Sequence, residues 1–584
     1  MYAFLKKSQI NLGNFVPFGT KAVKNNPVAK FATLRTVFKN YIAGMILEKS
    51  RTLALTAILS LPLQALAASP VVGPEHTRNL RTLEMAPMLF EYHRQTVGSE
   101  RQFFTYPRRD TSFIRHFTET EGKALLYYDN LRGGAIAGHG LDLQCHEGDT
   151  SCVKNLETLR AGLLPKYAIA TSVVGGIDYR GGEYINDMNL RRGEALGDTI
   201  WPSIDGGIYL RGYADSLEFV LDARIYDEGH SAVKPRSWDR EFLEVQREEN
   251  NSGVEYTSYA RYRTHFAFNY DWIRVDLARD VLHWGPGYYN NLTLNQFALP
   301  YNMLSVDLQL GPLRVFSFYG DLRIVNNSMS MDNKEDRNIF GHRYELAIGN
   351  GTFGISELTV LYDNLKPWLF VPTVPLFMEK GNYSENSNNG SLAFDFNYRL
   401  FNMARIYTEF FLDDMESPIS LVKNDNIEAK WAWMVGAQVG HDFMVKGHLL
   451  EVGTLAEYAR VEPYVYTHFV KNTAQIAHLG YPLGNQGGPN SQTIDWNVYA
   501  RLDKHIYASL RNTWFWKGTD YGSAVNDTTP HHNHMKIHKK FLDGAKMQYS
   551  LTPAISYEGQ YVSFMGEITF IDDRKAYLRA GFKW

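Results

Sequence analysis

Residues that could perform chemistry gather in the polar segments between the apolar stretches of this 584-residue sequence. The adjacent Asp413 and Asp414, followed by Glu416, suggest a carboxylate or calcium site. Neighbouring strand residues point to opposite faces, so the two Asp side chains can share one site only where a strand ends. The spacing of acidic residues alone does not identify the pair of catalytic carboxylates that a glycosidase needs. No nucleophile elbow, phosphate-binding loop or dinucleotide-binding fingerprint occurs between the strand and helix that such a motif requires. We therefore expect a protein that is not an enzyme and has no cofactor.

A histidine cluster raises the possibility of a metal site. His531, His532, His534 and His538 lie in segment 517–544. His534 and His538 would share one face of a helix, a spacing that suits a transition metal. Solvated histidines on a loop are the commoner arrangement, so we expect no metal here.

The two cysteines, Cys145 and Cys152, lie close together in the sequence. In an oxidising compartment such a pair is expected to form a small disulfide loop. A metal site would need more ligands nearby, and His146 is the one that offers itself.

Three segments, 280–301, 364–390 and 462–493, are rich in aromatic and amide side chains. Sugar binding uses flat aromatic faces for stacking and planar polar groups for hydroxyls, on long loops carried by a rigid scaffold. Alternatively, these aromatics form an interfacial girdle or pack the loops together, with Trp284 and Trp368 holding loops that fold inward. The candidate glycan contacts are Trp284, Tyr288, Tyr289, Asn291, Trp368, Tyr383, Tyr464 and Tyr466.

The elements that carry these segments have a period of two from about residue 165 onward. In 391–398, apolar Leu392, Phe394, Phe396 and Tyr398 alternate with small or polar residues. Such alternation predicts strands with one apolar and one polar face. The polar faces include Arg261, Arg263, His265, Arg405, Glu409 and Arg579. Such residues either line a pore for anions or pair across a filled lumen, and pairing is favoured because buried charges rarely stay unpaired.

The lengths of the segments between the predicted strands distinguish a soluble β-sandwich from a membrane β-barrel. Short turns alternate almost throughout with eight long polar segments, the pattern of an outer-membrane β-barrel with long extracellular loops. No stretch after residue 67 is apolar for long enough to be a transmembrane helix. The sequence therefore predicts an all-β antiparallel barrel of about 18 strands. They lie roughly at 165–176, 200–213, 215–227, 254–269, 271–279, 302–310, 312–322, 338–349, 353–363, 391–400, 402–413, 430–441, 448–461, 494–503, 505–516, 545–556, 559–570 and 574–584.

An export signal is predicted near the beginning of the chain. Lys49 and Arg51 precede the apolar run 53–63, and a small-x-small motif ends at Ala67. Translation is expected to start at Met45, with an extended basic region from Met1 as the alternative. Because residues 1–67 carry nine Lys or Arg and one Glu, the remaining chain is more acidic, at −11 against −3 for the whole sequence. That charge argues against nucleic acid as a partner.

Residues 68–164 lack the strand pattern. Residues 78–97 are expected to be helical with an interruption at Pro87, and Asp149–Ser151 could cap a second helix. We interpret this region as a small, partly helical periplasmic segment or a plug in the mouth of the barrel. The expected domains are 1–67, the upstream extension and signal peptide; 68–164, the periplasmic or plug segment; and 165–584, the barrel.

Three segments resemble the Wzi family of capsule assembly proteins. They are the run His283–Tyr289 leading through Asn291–Leu294 to Gly311–Arg314, the run Lys366–Pro372 with Pro375, and Phe394–Arg399 followed by Tyr407–Asp414. The resemblance implies an 18-stranded lectin-like barrel that holds capsular polysaccharide on the cell surface and is not an enzyme. In that family a helical bundle closes the periplasmic mouth, and residues 68–164 do not visibly match it.

The resemblance also implies the partners of the chain. The last strand ends in Trp584, with Phe582 and Leu578 on the same face, which implies an assembly signal read by the barrel-assembly machinery. We thus expect a protein in contact with outer-membrane lipid that binds capsular or extracellular polysaccharide. A porin-like channel for sugars or anions is the alternative, and an outer-membrane hydrolase is a third possibility.

Overall fold

Antiparallel strands make up most of the fold, and 18 of them close into one barrel. Each strand pairs with its neighbours in the sequence, and the last pairs with the first. The predicted fold class is therefore confirmed. The computed structural model describes residues 87–98, 103–106, 115–117, 143–145, 167–183, 198–214, 217–230, 255–270, 272–323, 336–361, 366–379, 388–414, 430–468, 474–503, 505–525, 527, 540–558, 563–571 and 575–583.

The barrel strands agree with the predicted ones to within a few residues at most ends, although several run further into the loops. They are β1 Tyr167–Glu183, β2 Asp198–Ala214, β3 Leu217–His230, β4 Glu255–Tyr270, β5 Ile273–Asp280, β6 Tyr301–Leu310, β7 Leu313–Arg323, β8 Asp336–Ile348, β9 Gly351–Leu361, β10 Asn388–Leu400, β11 Ala404–Asp414, β12 Lys430–Val445, β13 His448–Val461, β14 Ser491–Leu502, β15 Ile506–Lys517, β16 Met547–Glu558, β17 Ser563–Ile571 and β18 Lys575–Lys583.

The polar face of each strand points into the barrel and the apolar face points out. In β10, Phe394 and Tyr398 are exposed on the outer wall, whereas Asp395 and Asn397 are buried in the lumen. In β4, Phe266 is exposed and His265 is buried. An apolar outer surface is what a barrel needs where it contacts lipid.

The two ends of the barrel differ in the length of their connections. Turns such as Gly311–Pro312 and Lys446–Gly447 join strands at one end, and Gly311 and Gly447 both have positive φ angles of 65° and 88°. At the other end the long connections include 281–300 and 462–490, and one short connection, 572–574, joins β17 to β18. Strand β1 begins and strand β18 ends at the end with the short turns, as the even strand count requires.

The described helices are short, and one of them lies within the barrel. Helix α1 spans Pro87–Val97, the described part of the predicted helix 78–97, and residues 78–86 lie outside the described residues. It packs against β11 and β12. A 3-10 helix, Pro367–Phe370, and helix α2, Leu376–Glu379, follow β9. In the parts of the chain described, no helix is long and apolar enough to cross a membrane.

Among the described residues, three pairs of short strands lie outside the barrel sheet. Thr105–Tyr106 pairs antiparallel with His283–Trp284. Ala477–His478 pairs with Tyr481–Pro482. Arg115–Phe117 pairs in parallel with Leu143–Cys145.

The topology predicts which end of the barrel faces the medium. We expect Asp543→Cys, in the long connection between β15 and β16, to react with a membrane-impermeant maleimide on intact cells. Lys446→Cys, in the turn between β12 and β13, is expected to react after lysis alone, because the outer membrane shields that turn. Both variants carry Cys145→Ser and Cys152→Ser, and labelling of Lys446→Cys on intact cells would contradict this orientation.

Candidate functional site

Residues 281–300, which we call the inner loop, fold into the lumen instead of projecting from the barrel. Nearly all of them are buried, and Trp284 is fully buried. The Trp284 ring meets Phe316 and Phe318 of the wall edge to face, with ring centroids 5.8 and 5.2 Å apart. These contacts fix the first part of the loop against β7.

Buried carboxylates of the opposite wall hold the middle of the inner loop. Glu457 accepts hydrogen bonds from the backbone N–H groups of Tyr288, Tyr289 and Asn290, at 2.5, 2.9 and 2.9 Å. Glu409 accepts the N–H groups of Leu292 and Thr293, at 2.8 and 2.9 Å. A loop away from water needs partners for its backbone donors, and the two carboxylates supply them.

Residues 462–468 and 474–490, which we call the lid loop, lie across the inner loop. The Tyr466 hydroxyl donates to the Leu292 carbonyl at 2.6 Å, and the Asn485 amide donates to the Asn290 carbonyl at 3.4 Å. At Gly484 a Cβ atom would lie 1.8 Å from the Leu292 oxygen, so no larger residue fits without moving a backbone. The two loops are thus packed as one unit.

The N-terminal segment approaches the inner loop from the side of the short turns. The Tyr92 hydroxyl donates to the Gly285 carbonyl at 3.2 Å, and the Gly285 N–H donates to the Phe104 carbonyl at 3.0 Å. Glu345 of the wall accepts the Phe104 N–H at 2.6 Å. A part of the segment predicted as periplasmic or as a plug therefore lies within the barrel.

Three side chains at this end are close enough to hold a metal ion. His93, Asp442 and Glu451 offer ligand atoms within 4.8 Å of one another. Each already has a partner, because His93 Nε2 lies 2.7 Å from Asp442 and Glu451 accepts from Arg501 Nε at 2.6 Å. The geometry therefore suits a contact that attaches α1 to the wall, through His93 of the helix and Asp442 of β12.

The predicted lumen residues with described side chains are buried and paired. Arg263 Nη1 lies 2.7 Å from Asp280, and His265 contacts Asp276 at 2.7 Å and Asp280 at 3.1 Å. Arg405 donates to the Pro286 carbonyl at 2.8 Å and lies over the Tyr407 ring. The Arg263 and His265 pairs join the adjacent strands β4 and β5, so these charges are paired along the wall and do not form a row of charges exposed to a pore.

Most of the predicted glycan contacts have no exposed ring. Trp284, Tyr288, Tyr289, Asn291, Tyr464 and Tyr466 are all buried. A ring must be exposed to stack on a sugar, so we correct the prediction for these residues and assign them to packing and loop attachment. Trp368 is 49% exposed, but it lies over the outer wall near β8 and apart from the others.

A different aromatic residue is exposed at the end with the long connections. Tyr521 is 61% exposed, and its neighbours Asp520, Lys540 and Asp543 are exposed as well. Lys540 Nζ lies 3.0 Å from Asp543 and 3.9 Å from Asp520. We call these four residues the Tyr521 patch. No sequence pattern singles out these residues, because the histidines are the prominent feature of segment 517–544.

Tyr464 supports the patch from below. The Tyr464 ring packs against Gly522, where an added Cβ would lie 2.6 Å from the ring, and Gly522 has a positive φ of 93°. The Tyr464 N–H donates to the Gly522 carbonyl at 2.9 Å. Burial, followed by the nearby Tyr521 and Asp527, raises the pKa of Tyr464 to about 12, so its hydroxyl is neutral at physiological pH.

Several predicted features lie outside the described residues. The side chains of Arg261 and Arg579 are among them, although both positions belong to barrel strands. Cys145 ends a short strand, but Cys152 is not described, so the disulfide stays a prediction. The same holds for the signal peptide and for Tyr383, the cluster His531–His538 and Trp584.

Comparison with solved structures finds outer-membrane barrels. The fold is similar to that of Wzi, described as an outer membrane protein involved in group 1 capsule assembly in Escherichia coli and a carbohydrate-binding β-barrel. The TM-score is 0.48 and the identity 13%, over 88% of this chain and 98% of that chain. This is the family that three segments of the sequence resemble.

Other similar structures are a BenF-like porin from Pseudomonas fluorescens and OccAB1 from Acinetobacter baumannii. The porin has a TM-score of 0.39 and 8% identity, over 71% of this chain and 98% of its own. OccAB1 has a TM-score of 0.37 and 10% identity, over 71% of this chain and 95% of its own. At these identities the similarity concerns the fold alone. No family model matches the sequence, and no curated protein matches it.

The attachment of the inner loop can be tested at Glu457. Glu457→Gln replaces one acceptor oxygen by a donor that faces backbone N–H groups, which should destabilise the attached loop by about 1–3 kcal/mol. We expect hydrogen exchange at Tyr288–Asn290 to become at least several-fold faster in the folded barrel. Asp543→Asn, on the exposed patch, is the matched control and should leave this exchange unchanged. Unchanged exchange in Glu457→Gln would show that the carboxylate does not hold the loop.

Proposed function

We propose that this chain is a non-enzymatic outer-membrane barrel that binds surface polysaccharide at the end with the long connections. The observation that carries the proposal is the Tyr521 patch, an exposed ring beside charged groups on a base of packed loops. An exposed aromatic face can stack on the C–H surface of a sugar, and charged side chains can bind its hydroxyl or acidic groups. The rigid base lowers the entropy lost on binding.

The class of glycan comes from the sequence. The three segments that resemble the Wzi family imply a capsular or extracellular polysaccharide as the partner. Retention of capsule on the cell would then need many weak contacts, since each barrel offers a small patch and a long polymer can bridge many barrels. Outer-membrane lipid and the barrel-assembly machinery are the other proposed partners, and export through the predicted signal peptide belongs to the same proposal.

The two alternative functions receive less support from the described residues. A porin needs an open lumen, whereas the inner and lid loops cross it and the charges along β4 and β5 are paired. A hydrolase needs carboxylates that reach a substrate. Glu409 and Glu457 are buried and fully engaged with backbone N–H groups, so neither is placed to act on a glycosidic bond.

The proposal predicts the effect of removing the exposed ring. Tyr521→Ala should weaken binding of purified capsular polysaccharide by up to about tenfold, which corresponds to about 1.4 kcal/mol, the upper end for one stacking contact. Tyr521→Phe keeps the ring and should bind nearly as the parent does. The measurement is surface plasmon resonance with the barrel in nanodiscs, where assembly is checked by heat-modifiable migration.

Two further variants separate binding from structure. Met378→Ala changes an exposed residue on the outer wall and should leave binding unchanged. Trp284→Ala should lower stability, because the buried ring packs the inner loop against the wall. Parent protein that binds none of the polysaccharides on a broad glycan array would overturn the proposed function. Equal binding by the parent and Tyr521→Ala would place the site elsewhere.

A further inference from the structure

The outer wall of the barrel carries polar side chains where lipid contact would require apolar ones. Ser317 of β7, His342 of β8 and Glu357 of β9 lie side by side across the paired strands. All three face outward, since the residues before and after them, such as Phe316 and Arg343, point into the lumen. Charged or polar groups on the lipid face of a barrel are destabilising.

Residues 366–379, which we call the outer-wall loop, cover these polar side chains. Leu369 and Leu376 of the loop pack on Phe340 and Leu361 of the wall, in an apolar cluster separate from the lumen core. Ser317, His342 and Glu357 are buried as a result. The loop therefore runs down the outside of the barrel instead of extending away from it.

Hydrogen bonds to the wall and within the loop pair part of the loop's backbone polar groups. Ser317 and the Tyr344 hydroxyl donate to the carbonyls of Phe370 and Pro372, and Glu357 accepts the Leu376 N–H at 3.3 Å. Turns within the loop use the N–H groups of Leu369, Val371, Val374, Met378 and Glu379. The prolines at 367, 372 and 375 have no N–H to pair.

The outward surface of the loop is apolar. Met378 is 74% exposed, Trp368 49% and Val371 46%. No charged residue lies between Lys366 and Glu379. This surface continues the apolar belt of the neighbouring strands, where Phe353 is 53% and Phe394 46% exposed.

The loop also lies at the depth of the membrane. Glu357 is six residues beyond Gly351, where β9 leaves the short turn. At the rise and tilt usual for barrel strands, that places it roughly 15 Å above the turn, within an apolar band about 25 Å tall. Non-strand backbone is tolerated at this depth where its polar groups are satisfied by protein, and the wall and the turns of the loop supply such partners.

We propose that the outer-wall loop is a lipid-contacting element: it lies against the acyl chains of the outer leaflet and replaces the strand surface of β7–β9 there. Ser317, Tyr344 and Glu357 of the wall pair part of its backbone. Continuity with the belt, depth, lack of charge and backbone pairing all point to lipid as the occupant of this surface.

Spin labels at single cysteines test the proposal. Met378→Cys is placed in full-length protein that carries Cys145→Ser and Cys152→Ser, reconstituted in phosphatidylcholine–phosphatidylglycerol vesicles. Collisions with oxygen, which concentrates in lipid, are compared with collisions with a water-soluble nickel chelate. Phe353→Cys is the lipid-facing reference and Tyr521→Cys the water-facing one. We expect the Met378 label to match Phe353, with an oxygen-to-nickel ratio several-fold above that of Tyr521.

The contrary outcomes are distinct. A Met378 label that matches Tyr521 would place the loop in water and overturn the proposal. Low collision rates with both reagents, together with spin–spin broadening between molecules, would show that a second copy of the chain covers the loop, which also overturns it. Val371→Cys provides a second reporter if Met378→Cys does not assemble, and its label is held to the same criteria.

Discussion

Backbone pairing without water is the constraint on which this structure depends. Closing 18 strands into a ring gives the N–H and C=O groups of every strand a partner on both sides. Segments that are not strands need another solution, and the protein uses two. Inside the barrel, Glu409 and Glu457 accept the N–H groups of the inner loop. Outside it, tight turns and polar wall residues pair part of the outer-wall loop, and its prolines carry no N–H that needs a partner.

The same constraint links the lumen to the surface at the long connections. Because the inner loop is fixed by the wall, the lid loop has a firm layer to pack on, through Tyr466 and the close approach at Gly484. The lid loop in turn places Tyr464 beneath the turn at Gly522 and so supports the exposed Tyr521. Buried carboxylates thus contribute indirectly to the surface that we propose for glycan binding, as positioning residues that touch no sugar.

The sequence predicted the barrel well because alternation in single strands and the lengths of connections are local signals. It predicted the candidate site poorly. The aromatic residues of the loops were recognised, but which rings end exposed depends on where each loop folds, and no local pattern records that. Trp284 is buried in the lumen, and Trp368 lies on the outer wall. No sequence pattern distinguishes Tyr521, which is exposed. One signal was available: the uncharged, proline-rich run 367–378 is unusual for a loop in water.

If the wall carboxylates hold the inner loop inside the lumen, ion conductance through the barrel should depend on them. The parent barrel and the double variant Glu409→Gln/Glu457→Gln are compared as single molecules in planar lipid bilayers, after heat-modifiable migration shows that both assemble. We expect low conductance for the parent. The variant should show larger or more frequent openings, because the N–H groups of the inner loop lose carboxylate oxygens that accept their hydrogen bonds. A parent barrel that conducts steadily, at the same level as the variant, would show that the carboxylates do not hold the inner loop in the lumen.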